Sequence, residues 1–127
     1  MAEEEHVSTY ARSHRLRADL IRVALGSEAE TLLAEAGSSV TGRAAKTFAK
    51  EGRLRVTLAA LRSGVALDRH QVAGPVSIQV VRGGLRLVLD DGEADIAAGE
   101  VAVLDARVAH GARALGDCVL LITVALS

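Results

Sequence analysis

Residues 64–83 read GVALDRHQVAGPVSIQVVRG, and the fold class can be predicted from this segment. Its histidine, His70, lies six residues after the first glycine and thirteen residues before the last. From Val76 to Val80, apolar and polar residues alternate, which predicts a β-strand with one buried face. A second histidine, His110, follows a glycine by eleven residues. A single histidine on an apolar strand favours a hydrogen-bonded interior residue, whereas this matched pair favours a shared pocket.

Short strands extend from this stretch towards both ends of the chain. Gly83-Gly84 and Asp91-Gly92 predict two-residue hairpin turns, because Gly and Asp tolerate the positive φ of such turns. Many short strands separated by frequent turns are typical of a β-sandwich or a closed β-barrel. We predict strands near residues 53–60, 76–82, 85–90, 93–97, 101–104 and 118–126.

Residues 1–36 have the apolar spacing of helices. Gly26-Ser27 predicts the end of one helix and the N-cap of the next, because an acidic residue three positions later completes a capping box. The second helix is expected over about residues 28–36 and ends at Gly37. Because apolar residues recur at helical spacing, we expect these helices to dock and not to form a free tail. They would pack either over the open end of the barrel or across a dimer interface.

The spacing around both histidines resembles the two-part signature of the cupin superfamily. The first part of that signature runs Gly, five residues, His-x-His, three or four residues, Glu, six residues, Gly. Residues 41–45, the Gly74-Pro75 pair and the closing segment at 120–125 are similar to those of a group of very small bacterial cupins. The resemblance covers roughly residues 43–126.

This resemblance implies an all-β fold, the cupin double-stranded β-helix or jelly-roll barrel, with a short helical N-terminal extension. We therefore divide the chain into a helical extension and loop, residues 1–42, and a barrel domain, residues 43–127. Cupins bind their ligands inside one end of the barrel and often pair as dimers, so the resemblance also implies an internal ligand site and a homodimer.

The metal ligands that the resemblance implies are incomplete. His70 matches the first histidine of the first motif and His110 the histidine of the second motif. In the first motif, however, Val72 stands for the second histidine and Val76 for the glutamate. A tight transition-metal site generally needs three protein ligands, and valine has no lone pair. Asp68, Asp105 and Gln79 are candidate third ligands, although Gln79 is expected on the face opposite residues 76, 78 and 80. The expected cofactor is thus a weakly bound divalent metal or none.

The leading prediction is a barrel that binds a small molecule in an aliphatic pocket, where an imidazole can hold a polar group or act as acid or base. Two alternatives stay open: a metal-dependent enzyme of the dioxygenase or isomerase type using both histidines, and a structural or interaction module with a filled barrel. Arg107 is counted among the predicted pocket residues because its planar guanidinium could bind a carboxylate at the barrel mouth. The predicted pocket residues are His70, Val72, Val76, Ile78, Val80, Arg107 and His110.

The amino-acid composition limits the classes of partner and the cellular compartment that we expect. The 127 residues fit one domain, half of them are hydrophobic, and one Tyr, one Phe and no Trp leave the core to aliphatic residues. A formal charge of −1 and the scarcity of aromatic rings argue against nucleic acid and anionic membranes. The single cysteine, Cys118, allows no internal disulfide, and the first residues lack a secretion signal, which predicts a cytoplasmic protein.

Overall fold

The part of the chain with a period of two forms strands, as its alternation predicts. The structure, a computed structural model, describes residues 19–126. Within them it contains one helix and seven strands. In chain order these are α1 (Leu25–Ser38), β1 (Arg43–Glu51), β2 (Leu54–Leu61), β3 (Ala66–His70), β4 (Val76–Leu89), β5 (Gly92–Ala97), β6 (Val101–Leu104) and β7 (His110–Ala125).

The two longest strands, β4 and β7, organise the molecule because they pair antiparallel along most of their length. Residues 76–80 pair with 120–124, and residues 84–88 pair with 111–115. The pairing of 76–80 with 120–124 forms the first half of the barrel, and the pairing of 84–88 with 111–115 forms the second half. In the first half, β2 and β1 extend the sheet beside β7, and β6 extends it beside β4. The second half is widened by β3 beside β7 and β5 beside β4. The halves enclose a common core, which is the predicted jelly-roll architecture.

Gly83-Gly84 is not a hairpin turn, and that prediction was wrong. The pair lies inside β4, where the register with β7 shifts twice between Val80 and Gly84. Gly83 has a φ of 75°, and a Cβ there would collide with the backbone carbonyl of Asp117. Glycine permits both the left-handed conformation and the close approach, so it marks a bulge at which the strand passes between the halves. The turn predicted near Asp91 does form, between β4 and β5.

A first core fills the space between the two halves. Its residues alternate along β4 and β7, as expected when one face of each strand points inward. Leu61 adds a side chain from β2 and Leu104 one from β6. The remaining buried members are Val76, Ile78, Val80, Leu85, Leu87, Ala112, Ala114, Cys118 and Leu120.

The predicted N-terminal end of the second helix was wrong. Helix α1 begins at Leu25, and Ser27 lies inside its first turn, where the hydroxyl donates to the Ala24 carbonyl at 3.3 Å and makes no cap. Residues 19–24 are not helical, and the rest of the predicted first helix lies outside the described residues. A glycine early in a helix costs about 1 kcal/mol. Burial of the following apolar residues offsets that cost.

Helix α1 packs on the outer face of the first half, and not over the barrel's open end as one prediction had it. Ala29, Leu32 and Ala36 are buried at helical spacing. They meet Leu58 and Ala60 of β2, with Val119 of β7, in a second core. The end of β2 is consequently buried on both faces.

Three strand segments were not predicted: β1, β3 and the first half of β7. Strand β3 has mostly exposed residues and so lacks the alternation that reveals a strand. The division at residues 42 and 43 stays a prediction, with α1 before it and β1 after it. In the described part of the chain, no helix is both long enough and apolar enough to cross a membrane.

Candidate functional site

A cavity of about 160 Å³ lies between the two halves, at the end where β3 stops and β7 starts. Its walls are aliphatic except for two imidazoles. Because His70 both lines the cavity and is exposed, the cavity opens to solvent beside that ring. The lining residues are Leu67, His70, Val72, Val76, Ile78, Leu85, Leu87, His110, Gly111, Ala112, Leu120, Ile122 and Val124.

The two histidines face each other across neighbouring strands. His70 ends β3 and pairs in register with His110, the first residue of β7. Their ring centroids are 4.6 Å apart, with the ring planes inclined at 55°. His110 is only 5% exposed. The spacing of the sequence therefore brings together two imidazoles, one buried and one at the cavity mouth.

A bulge in β3 turns His70 towards the cavity. Leu67 pairs with Ala112 and His70 with His110, so three steps along β3 match two steps along β7. On a regular strand, residues three apart point to opposite faces. The extra residue keeps Leu67 and His70 on the same face.

Each imidazole is fixed by a hydrogen bond to its own strand. Nδ1 of His70 lies 3.0 Å from the Asp68 carbonyl oxygen, and Nδ1 of His110 lies 3.0 Å from the Val108 carbonyl oxygen. A carbonyl can only accept, so Nδ1 carries the proton in both rings. In the neutral state each Nε2 is then a hydrogen-bond acceptor, on the ring edge away from the carbonyl.

Five of the seven predicted pocket residues line the cavity: both histidines, Val72, Val76 and Ile78. Val80 and Arg107 do not, which corrects that part of the prediction. Val80 is fully buried, deeper along β4. The alternation along β4 correctly predicted that Val80 faces the interior, but the cavity does not extend as far as Val80.

Arg107 is exposed and contributes through its backbone. Its N–H donates to the Val72 carbonyl at 2.9 Å, which ties the loop before β7 to the loop before β4. Its φ of 65° is in the left-handed region, which residues with a Cβ rarely adopt. The residue thus supports the turn that leads to His110, and its guanidinium is not part of the cavity wall.

The candidate third metal ligands do not reach the site. Gln79 pairs with Val101 and Leu121, and none of Gln79, Asp68 and Asp105 lines the cavity. Among residues 19–126, no group of three His, Cys, Asp or Glu side chains could hold a metal ion. Because a catalytic metal generally takes three protein ligands, the residues present do not fit a tightly held one.

The aliphatic wall contributed by the second half was missed at the sequence level. Leu67, Leu85 and Leu87 lie opposite Ala112 and Ala114 through strand pairing. Their alternation in the sequence was visible, but only the register shows which alternating residues share the cavity. Cys118 belongs to the same core without lining the cavity, and burial raises the pKa of its thiol to about 11, so it is protonated at neutral pH.

Solved cupin structures are similar to this chain. A cupin superfamily protein from Desulfitobacterium hafniense matches with a TM-score of 0.65 and 16% identity, over 67% of this chain and 78% of that chain. An RmlC-like cupin from Shewanella frigidimarina matches with a TM-score of 0.63 and 18% identity, over 68% and 78%. A salicylate 1,2-dioxygenase from Pseudaminobacter salicylatoxidans matches with a TM-score of 0.68 and 19% identity, over 78% of this chain and 33% of that one.

Likeness at these identities establishes the fold. The chain has a small cupin-type fold, as its histidine spacing predicted. The similar structures include an enzyme and also a protein of unknown function from Streptococcus pyogenes, with a TM-score of 0.65 and 20% identity over 70% of this chain and 78% of that one. No family model and no curated protein matches.

Proposed function

We propose that this cupin barrel binds a compact, largely apolar small molecule between its two halves, with His70 and His110 as the polar contacts. The observation that carries the proposal is an aliphatic cavity of about 160 Å³ whose wall includes two adjacent imidazoles. Ligand pockets are typically apolar with a few placed polar groups. An apolar cavity of about 150 Å³ is large enough for benzene, so a ligand of roughly six to eight heavy atoms fits this one.

The size of the cavity argues against the filled barrel. Protein interiors are close-packed, and voids larger than a water molecule are few. Here the void lies beside His110, the one buried polar residue among residues 19–126, and opens at an exposed histidine. A cavity so placed is expected of a binding site and not of a purely structural interior.

Binding of small aromatic probes tests the proposal. Ligands of this size gain at most about 1.5 kcal/mol per heavy atom and usually less, so dissociation constants of roughly millimolar to tens of micromolar are expected. Calorimetry and ligand-observed NMR would measure them. The matched control is Ala112→Leu, which fills the cavity and keeps both imidazoles, and it should abolish binding. Probe binding that survives Ala112→Leu unchanged would place the ligand elsewhere and refute the proposal.

A metal-dependent enzyme is the second candidate, and one observation favours it. Both Nδ1 atoms are held by backbone carbonyls, which leaves both Nε2 lone pairs available, the arrangement of metal-binding histidines. Two ligands predict weak binding. Metal content by mass spectrometry, on protein made without a histidine tag, decides between the candidates. About one metal per chain, lost in the His70→Ala/His110→Ala double variant, would favour the enzyme.

A further inference from the structure

We infer that the ligand of this cavity carries a hydroxyl group, or a donor of similar size, on a compact apolar body, and that the donor bonds Nε2 of His110. The inference rests on the proposed function and specifies its ligand class. It follows from an unpaired acceptor and from the chemistry of the surrounding wall.

The acceptor is Nε2 of His110. The residue is 95% buried, being 5% exposed, and its Nδ1 is occupied by the Val108 carbonyl. Within residues 19–126 no group donates to Nε2. In its neutral state the neighbouring ring of His70 cannot do so, because its single N–H donates from Nδ1 to the Asp68 carbonyl. The two rings touch at a centroid distance of 4.6 Å without a hydrogen bond between them.

A buried acceptor without a donor is unfavourable by about 1–3 kcal/mol. Water can supply a donor, but a buried water generally makes about three hydrogen bonds. The lining side chains offer it only the two imidazoles, since the other walls are aliphatic or glycine. A hydroxyl on an apolar body suits the site better, because its O–H satisfies Nε2 while its carbon atoms contact the aliphatic wall.

Ligands that only accept hydrogen bonds fit less well. While His110 is neutral, a carboxylate or an ether oxygen facing Nε2 would place two acceptors together, with no proton between them. His70 offers a second acceptor, but it is exposed, so solvent can satisfy it. One donor is therefore required and a second is optional.

The experiment compares phenol with toluene, which differ by a hydroxyl in place of a methyl group. The measured quantity is the ratio of the two dissociation constants, toluene over phenol, in the wild type and in His110→Leu. Leucine keeps the position apolar and removes the acceptor. The ratio should fall about tenfold or more in His110→Leu, because the phenol hydroxyl loses its partner. In the control variant His70→Leu the ratio should change less, since that ring is exposed.

The outcomes separate this inference from the proposed function. If phenol and toluene bind the wild type and the ratio is the same in His110→Leu, the cavity binds ligands but the donor bond is refuted. If neither probe binds the wild type, the proposed function fails and the inference fails with it. If a divalent ion, and neither probe, shifts the imidazole resonances, the lone pairs serve a metal and the inference is overturned.

A second measurement needs no variant. Long-range ¹H–¹⁵N NMR spectra report which ring nitrogen of His110 carries the proton. We expect the proton on Nδ1, and we expect the Nε2 resonance to move on addition of phenol and to stay nearly unchanged with toluene. A proton found on Nε2 would overturn the inference directly.

Discussion

The barrel interior and the interface beneath α1 are built from the same aliphatic residue types, yet only one of them is full. Under the helix, Ala29, Leu58, Ala60 and Val119 are completely buried in a close-packed layer. Between the halves, side chains of the same kind surround about 160 Å³ of space. The empty volume is therefore not a general failure of aliphatic packing. It borders the two imidazoles.

The largest expected effect comes from truncating one leucine in each region. Leu58→Ala removes a side chain packed on all sides and should destabilise the protein by about 3–5 kcal/mol. Leu87→Ala removes one that borders the cavity and has fewer contacts to lose, so about 2 kcal/mol is expected. Urea unfolding of both variants measures the difference. Equal losses would mean that the cavity wall is as tightly packed as the helix interface.

Adding methyl groups should change the free energy of unfolding in opposite directions in the two regions. Ala112→Val places two methyl groups where a cavity wall now stands and is expected to stabilise by about 1 kcal/mol. Ala60→Val, on a fully buried position under α1, should destabilise by about 1–3 kcal/mol through overpacking. Both changes put the same β-branched residue on a strand, so each controls for the other. Thermal unfolding checks the signs, and destabilisation by both would contradict an open cavity.

A smaller effect is expected at the turn that leads to His110. Arg107 has a φ of 65°, which is unfavourable for a residue with a Cβ by about 1 kcal/mol. Arg107→Gly should raise stability by about 0.5 kcal/mol, since the greater freedom of glycine in the unfolded chain offsets part of the gain. Arg107→Ala also removes the guanidinium but keeps the Cβ. If it stabilises as much as glycine, backbone strain is not the cause.

The smallest effect belongs to an exposed ion pair on the face of β4 opposite the cavity-lining leucines. Arg86 on β4 donates two hydrogen bonds to Asp95 on β5, at 2.8 and 3.0 Å. These bonds hold the pKa of Asp95 below its ordinary value. The stability they contribute is present above the unfolded-state pKa of about 3.9 and is lost as pH falls through the lower folded value.

Urea midpoints of the wild type and Asp95→Asn, at neutral and at strongly acidic pH, measure this contribution. We expect a slight loss at neutral pH that vanishes in acid, since both side chains are exposed. Asp91→Asn, in the turn before β5, is the control. A loss that persists in acid would show that the ion pair is not responsible.

Much of the fold could be predicted because it depends on local pattern. Strand β6 was predicted with its observed bounds, and β5 was predicted within a residue of them. The matched spacing of His70 and His110 correctly indicated a cupin barrel. Such features need only the alternation of side chains and the distance between two residues along the chain.

What failed depends on contacts between distant segments. Gly83-Gly84 has the residues of a hairpin turn, and only the path of β7 beside it makes it a bulge. Ser27 has the residues of a helix cap, yet burial of Leu32 and its neighbours extends the helix past it. The orientation of His70 depends on an extra residue in β3 that has no signature in sequence. Ligand binding and the homodimer stay predictions.

The double burial of β2 by α1 and by the barrel core has a consequence for how the molecule opens. Residues 58–61 are buried without a break, and residues 59–61 pair with the buried residues Cys118, Val119 and Leu120 of β7. Strand β3, at the mouth, has no buried residue. Backbone amides in the doubly covered seam should therefore exchange with deuterium last, and those of β3 first. Strand β3 can therefore open locally at the cavity mouth while the pairing of β2 with β7 stays intact.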